Sequence, residues 1–95
     1  MTDKTHILAF LKQNKLYIQS KFDVKKIALF GSYAKDEATK ESDIDIVVDM
    51  KSSFDNYFDL KYFLEDHFKT KVDLAKEHSL RLLVKERIKD ELIYV

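Results

Sequence analysis

Cysteine, proline and tryptophan are absent from the 95 residues, and glycine occurs once, at Gly31. Without cysteine there is no disulfide scaffold, no thiolate zinc site and no cysteine nucleophile. Average usage would place about 7 glycines and about 5 prolines in a chain this long. The turns therefore fall to Asn, Asp, Ser, Thr and Lys, and the position of the one glycine carries information. Charge of a single sign is lacking too: 17 Lys plus Arg face 17 Asp plus Glu. A free-standing polyanion binder is as a rule basic, so direct nucleic-acid binding is not expected. No apolar run approaches a membrane span, and the first residues lack the apolar core of a signal peptide. The expected location is the cytoplasm, with no membrane partner.

Apolar residues make up 45% of the chain, including seven Phe and five Tyr. That supports one small core, and residues 1–95 are read as one domain. Ile7, Leu8, Phe10 and Leu11 recur at helical spacing, with Asp3 or Thr5 as caps. Gln13-Asn14-Lys15 interrupts the pattern, which resumes with Leu16, Tyr17, Ile18 and Phe22, giving one helix or two over about 4–21. Lys26–Phe30 is a buried strand that stops at Gly31, and Ser32-Tyr33-Ala34 suits a helical turn. Residues 43–48 form a second strand. Ser52 or Ser53 caps a helix running to Phe68, Lys71–Leu74 is a third strand, and a last helix spans about Ser79–Ile93. The fold class is α/β (α+β), a small mixed sheet covered by helices in the order α-β-(turn)-β-α-β-α.

Strict alternation puts Asp43 and Asp45 on one face of the second strand, about 6.6 Å apart along it. Asp is a poor strand former, and two like charges on an apolar strand are unfavourable unless a cation or donor compensates. A solvated edge strand is the competing explanation. Gly31 follows a buried strand and precedes Ser32 at a helix start, where glycine can take positive φ and free N–H groups can meet a phosphate. Taken alone, such a Gly-Ser pair is more often a plain strand end and cap. Asp73 can join Asp43 and Asp45 if the third strand lies beside the second. Asp49 has the same parity as Asp43 and Asp45 and is the rival third carboxylate. Three such groups could hold two Mg²⁺ ions about 3.5–4 Å apart, the geometry for nucleotidyl transfer. His78 lies five residues from Asp73, but a solvent-facing helix-cap histidine explains it as well. Tyr33 could stack on a base or pack beneath the turn. The aromatic set Phe54, Tyr57, Phe58, Tyr62 and Phe63 reads as core, with some of it available to a partner.

Phe30-Gly31-Ser32-Tyr33-Ala34, a spacer, and Ser42-Asp43-Ile44-Asp45-Ile46-Val47-Val48 together resemble the minimal nucleotidyltransferase motif of the DNA polymerase β-like superfamily. The resemblance covers nearly the whole chain. It implies that Gly31 and Ser32 bind the nucleotide triphosphate, that Asp43 and Asp45 bind Mg²⁺, and that Asp73 is the third, base-side carboxylate in a cleft. Where that family commonly has Arg-Gly, this chain has Lys35-Asp36. Lys35 keeps the positive charge for the nucleotide but not the bidentate fork, and Asp36 stands where a glycine at positive φ is expected. Stand-alone domains of this kind are similar to the antitoxins of HEPN/MNT toxin–antitoxin systems, which transfer AMP from ATP to a tyrosine of the partner RNase toxin. The resemblance thus implies a Mg²⁺-dependent, ATP-using protein adenylyltransferase with catalytic Asp43, Asp45 and Asp73 and a HEPN-type toxin partner. Two alternatives stay open: an antitoxin of the same fold that acts by docking alone, and a catalytic subunit modifying a small-molecule hydroxyl.

Overall fold

A computed structural model describes residues 3–50, 54–77, 86 and 91–95. The first apolar pattern forms two helices, α1 (Lys4–Gln13) and α2 (Lys15–Phe22), parted at Asn14. Asp3 caps α1, its carboxylate accepting the His6 N–H at 2.8 Å and satisfying a donor the first turn leaves open. The break at Asn14 shifts the helical phase. Ile7, Leu11, Ile18 and Phe22 are buried, whereas Leu16, expected on the same stripe, is 78% exposed.

Four strands, β1 (Val24–Phe30), β2 (Ile44–Met50), β3 (Val72–Lys76) and β4 (Ile93–Tyr94), form one mixed sheet in the order β3-β2-β1-β4. β1 runs antiparallel to β2 and β4, and β2 runs parallel to β3. A one-turn helix, α3 (Gly31–Ala34), follows β1, and α4 (Phe54–Phe68) supplies the crossover that a parallel pair requires. The end of the chain differs from expectation. Ile93, read as the last residue of a helix from Ser79, is a strand residue paired with Leu29, and the Val95 N–H donates to the Ile27 carbonyl at 3.2 Å. A two-residue strand has no period of its own, so tertiary pairing overrode the helical pattern. Of that expected helix, Glu86 is helical and Glu91 lies in a turn, while residues 79–85 and 87–90 fall outside the described residues. So do the expected caps Ser52 and Ser53.

One sheet face carries Ile27, Leu29, Ile44, Ile46, Val48, Val72 and Leu74, and the buried stripes of α1, α2 and α4 close over it in a single cluster. Leu60, Leu64 and Phe68, one turn apart on α4, are 0–4% exposed, the spacing of a core-facing stripe. The register puts Asp45, Val47 and Asp49 on the opposite face, where Val47 and its partner Ala28 are buried and Asp45 and Asp49 are half-buried. The scarcity of glycine shows in the backbone: Asp23, Asp36 and Lys69 adopt φ of 58°, 58° and 55°. Non-glycine residues thus fill positions that glycine usually takes. Asp36 lies at the positive φ expected of it.

Candidate active site

The loop before β2 is closed by its own side chains. The Thr39 N–H donates to Ser42 Oγ at 2.9 Å, and the Ser42 N–H donates to the Thr39 carbonyl at 3.1 Å. This delivers Asp43 to the mouth of β2, one residue ahead of the strand, and Asp45 within it. β3 lies directly beside β2, with Asp45 and Asp73 as register partners. The third strand thus lies beside the second, the condition on which the sequence reading makes Asp73 a neighbour of the pair. Asp49, the rival, sits further along β2 opposite Lys26. Asp73 is exposed rather than set in a cleft, because β3 is the last strand of the sheet on its side among the described residues.

The charges of Asp73 and Asp43 bear on Asp45. Burial, then the charge of Asp73, then that of Asp43, push the Asp45 carboxyl up from 3.8 to about 6. Among the described residues no three acidic or imidazole side chains are grouped so that they could hold a metal ion. The donor set is all carboxylate oxygen, which suits a hard divalent cation such as Mg²⁺, and the electrostatic strain on Asp45 is the kind a cation relieves.

Gly31 faces this group. Its φ is +75°, and a Cβ built there would collide with Asp45, lying 3.0 Å from Cγ and 3.1 Å from Cβ after striking the carboxylate oxygen Oδ2. Phe30 is the register partner of Asp45, so the residue after it turns directly over the carboxylate. Ser32 follows in α3, whose turn is closed by Lys35 N–H to Gly31 C=O at 3.1 Å and Glu37 N–H to Ser32 C=O at 2.8 Å. Tyr33 is 8% exposed and belongs to the core, which selects packing over base stacking. Lys35 is engaged: its Nζ lies 2.9 Å from Glu91 Oε1, and this hydrogen bond and charge raise its pKa. Asp36 pairs with Lys4 at 3.5 Å.

Sequence reasoning missed two features. Glu91 reaches Lys35 from the far end of the chain, a contact no local pattern signals. His6 and His67, far apart in sequence, stack with ring centroids 5.6 Å apart, and Phe10 stacks on His67 at 3.6 Å. His78 is outside the described residues. The aromatic set divides: Phe63 packs on the core cluster, Tyr57 is half-buried with its hydroxyl donating to the Leu74 carbonyl, and Tyr62 is 61% exposed.

Comparison with known proteins gives the family of this fold. Residues 11–95 match the Nucleotidyltransferase domain family, and the chain belongs to it. A Methanocaldococcus jannaschii protein provisionally named a protein adenylyltransferase is 42% identical over the full length of both chains. A solved structure provisionally named a minimal nucleotidyltransferase superposes with a TM-score of 0.82 at 26% identity, covering 97% of this chain and 95% of that one. The complex of a tri-AMPylated Shewanella oneidensis HEPN toxin with MNT antitoxin matches in fold, with a TM-score of 0.63 at 19% identity, covering 90% of this chain and 69% of that one. No helix among the described residues is long and apolar enough to cross a membrane.

Proposed function

We propose that this chain is an antitoxin that transfers AMP from ATP to a tyrosine of a HEPN-type toxin. The observation that carries the reading is Gly31 set against Asp45, with Asp73 in register beside it. The name of the M. jannaschii relative and the AMPylated toxin in the S. oneidensis complex support a protein acceptor. In this reading residues 1–95 work as one catalytic unit in the cytoplasm.

Gly31 and Ser32 receive the triphosphate, where a side chain at 31 would obstruct both the phosphate and Asp45, and where the first-turn N–H groups of α3 lack partners within the helix. Asp43, Asp45 and Asp73 would hold Mg²⁺, which when bound neutralises phosphate charge and lowers the pKa of the acceptor hydroxyl. Asp73, the most accessible of the three, is the carboxylate that accepts the proton of the incoming hydroxyl. The acceptor oxygen bonds to the α-phosphorus, the bond to the bridging oxygen breaks, and pyrophosphate leaves. Lys35 takes part once the triphosphate replaces Glu91 as its partner.

One observation favours the docking-only antitoxin: Lys35 is neutralised by Glu91, and Asp36 brings a negative charge close by. Asp73→Asn separates the two readings, measured by neutralisation in cells alongside binding of the purified pair. Catalysis predicts lost neutralisation with retained binding. Retained neutralisation by a protein with no detectable transfer leaves docking.

A further inference from the structure

β3 carries Asp73, yet it is an edge strand: among the described residues it has a neighbour, β2, on one side only. The Ile44 N–H donates to the Lys71 carbonyl at 3.0 Å, so the backbone groups of Lys71, Asp73 and Ala75 point toward β2. By alternation the N–H and C=O groups of Val72 and Leu74 point to the open side. Unpaired edge groups are a liability and leave a strand free to shift. Here α4 supplies partners for two of them. The Val72 N–H donates to Glu65 Oε2 at 2.9 Å, and the Tyr57 hydroxyl donates to the Leu74 carbonyl.

These two bonds fall on the residues immediately before and after Asp73. Tyr57 and Glu65 lie two turns apart on α4, beside its buried Leu60-Leu64-Phe68 stripe. The earlier helix residue meets the later strand residue, so the helix runs against β3 and spans it like a splint. The Tyr57 ring is fixed further by Phe58, edge-on at 5.1 Å, and by Lys76 Nζ at 5.2 Å from its centroid. We propose that Tyr57 and Glu65 are positioning residues for nucleotidyl transfer, which clip the open edge of β3 on both sides of Asp73 and hold its carboxylate opposite Asp45. The proposal rests on the reading of Asp73 as a working carboxylate of the site. In this proposal the two side chains act through Asp73.

The test uses the full chain with two readouts: Mn²⁺ binding followed by EPR, and AMP transfer to the purified HEPN-type partner, resolved into kcat and KM for ATP. Tyr57→Phe and Glu65→Ala are expected to weaken Mn²⁺ binding at least threefold and lower kcat at least tenfold, with KM for ATP within twofold of wild type. Glu65→Gln keeps an oxygen acceptor for the Val72 N–H and is expected to restore both. In an Asp73→Asn background Tyr57→Phe should add nothing. Ile18→Val, a core truncation in α2, controls for stability: it should lower Tm while leaving both readouts unchanged. If Asp73→Asn weakens Mn²⁺ binding and transfer but Tyr57→Phe and Glu65→Ala do not, the positioning role is overturned and the site stands. If Asp73→Asn itself changes neither, the reading of the site fails and the proposal with it. An unfolded Glu65→Ala protein leaves the decision to Tyr57→Phe, which removes one hydroxyl.

Discussion

Gly31 leaves open the space that the Asp45 carboxylate occupies. The two residues lie at neighbouring ends of β1 and β2, and a single added carbon at Gly31 would meet the Asp45 side chain within 3.1 Å at three of its atoms. The glycine therefore has two functions, approach of the triphosphate and room for a carboxylate.

Gly31→Ala tests both. The positive φ alone costs an alanine about 1–2 kcal/mol, and the collision adds about 1–3 kcal/mol. Denaturant unfolding should show the summed loss, and nucleotide titration should show ATP binding weakened at least about tenfold. In an Asp45→Ala background the stability cost should shrink toward the φ component alone. An undiminished cost there would mean the two side chains do not compete for space.

Asp45 makes stability depend on pH. Its carboxyl is raised from 3.8 to about 6, so between those values the folded protein holds a proton that the unfolded chain has released. Stability without divalent cation should therefore fall as pH rises through that window, by about 1–2 kcal/mol after allowance for the partial exposure of the group. Added Mg²⁺ should oppose the fall, because cation and proton compete for the same oxygens. Thermal melts across pH in chelator and in Mg²⁺, with Asp45→Asn as the flat reference, measure this. A wild-type slope equal to that of Asp45→Asn would contradict it.

Lys69 should prefer to be glycine. It follows α4 at φ 55° with its N–H bonded to the Glu65 carbonyl at 2.8 Å, and its ion pair with Asp66 is solvent-exposed. Lys69→Gly removes the left-handed penalty and adds some unfolded-state entropy, for a net gain of about 0.5–1 kcal/mol. Tm should rise and AMP transfer should not change.

The same substitutions show what the sequence could and could not reveal. Alternation around Asp43 and Asp45 was legible because a strand shows one side chain in two to each face, and Gly31 stood out because the chain has no other glycine. Asp73 could be named from its strand, but its exposure depends on β3 being an edge, a property of strand order that no local window contains. Ile93 reads as helix from the sequence because two paired residues leave no periodic trace. Glu91 on Lys35 and Glu65 on Val72 are contacts between separate elements, invisible to spacing.

Glu91 is expected to compete with the nucleotide for Lys35, given the 2.9 Å ion pair between them. Glu91→Gln should tighten ATP binding a few-fold, on the order of threefold (a fraction of the 1.4 kcal/mol that a tenfold change requires), and Lys35→Met should weaken it. Calorimetric titration of both variants, and of the double variant, is the check. Unchanged affinity in both single variants would remove Lys35 from the nucleotide site.

The most direct test of the whole account is intact-mass and peptide mass spectrometry of the purified HEPN-type partner after incubation with this protein, ATP and Mg²⁺. The account predicts AMP on a tyrosine of the partner with the wild-type protein. It predicts none with Asp43→Asn/Asp45→Asn, which should remain folded because two repelling carboxylates have been removed. An unmodified partner with active wild-type antitoxin, or equal modification by the double variant, would contradict it.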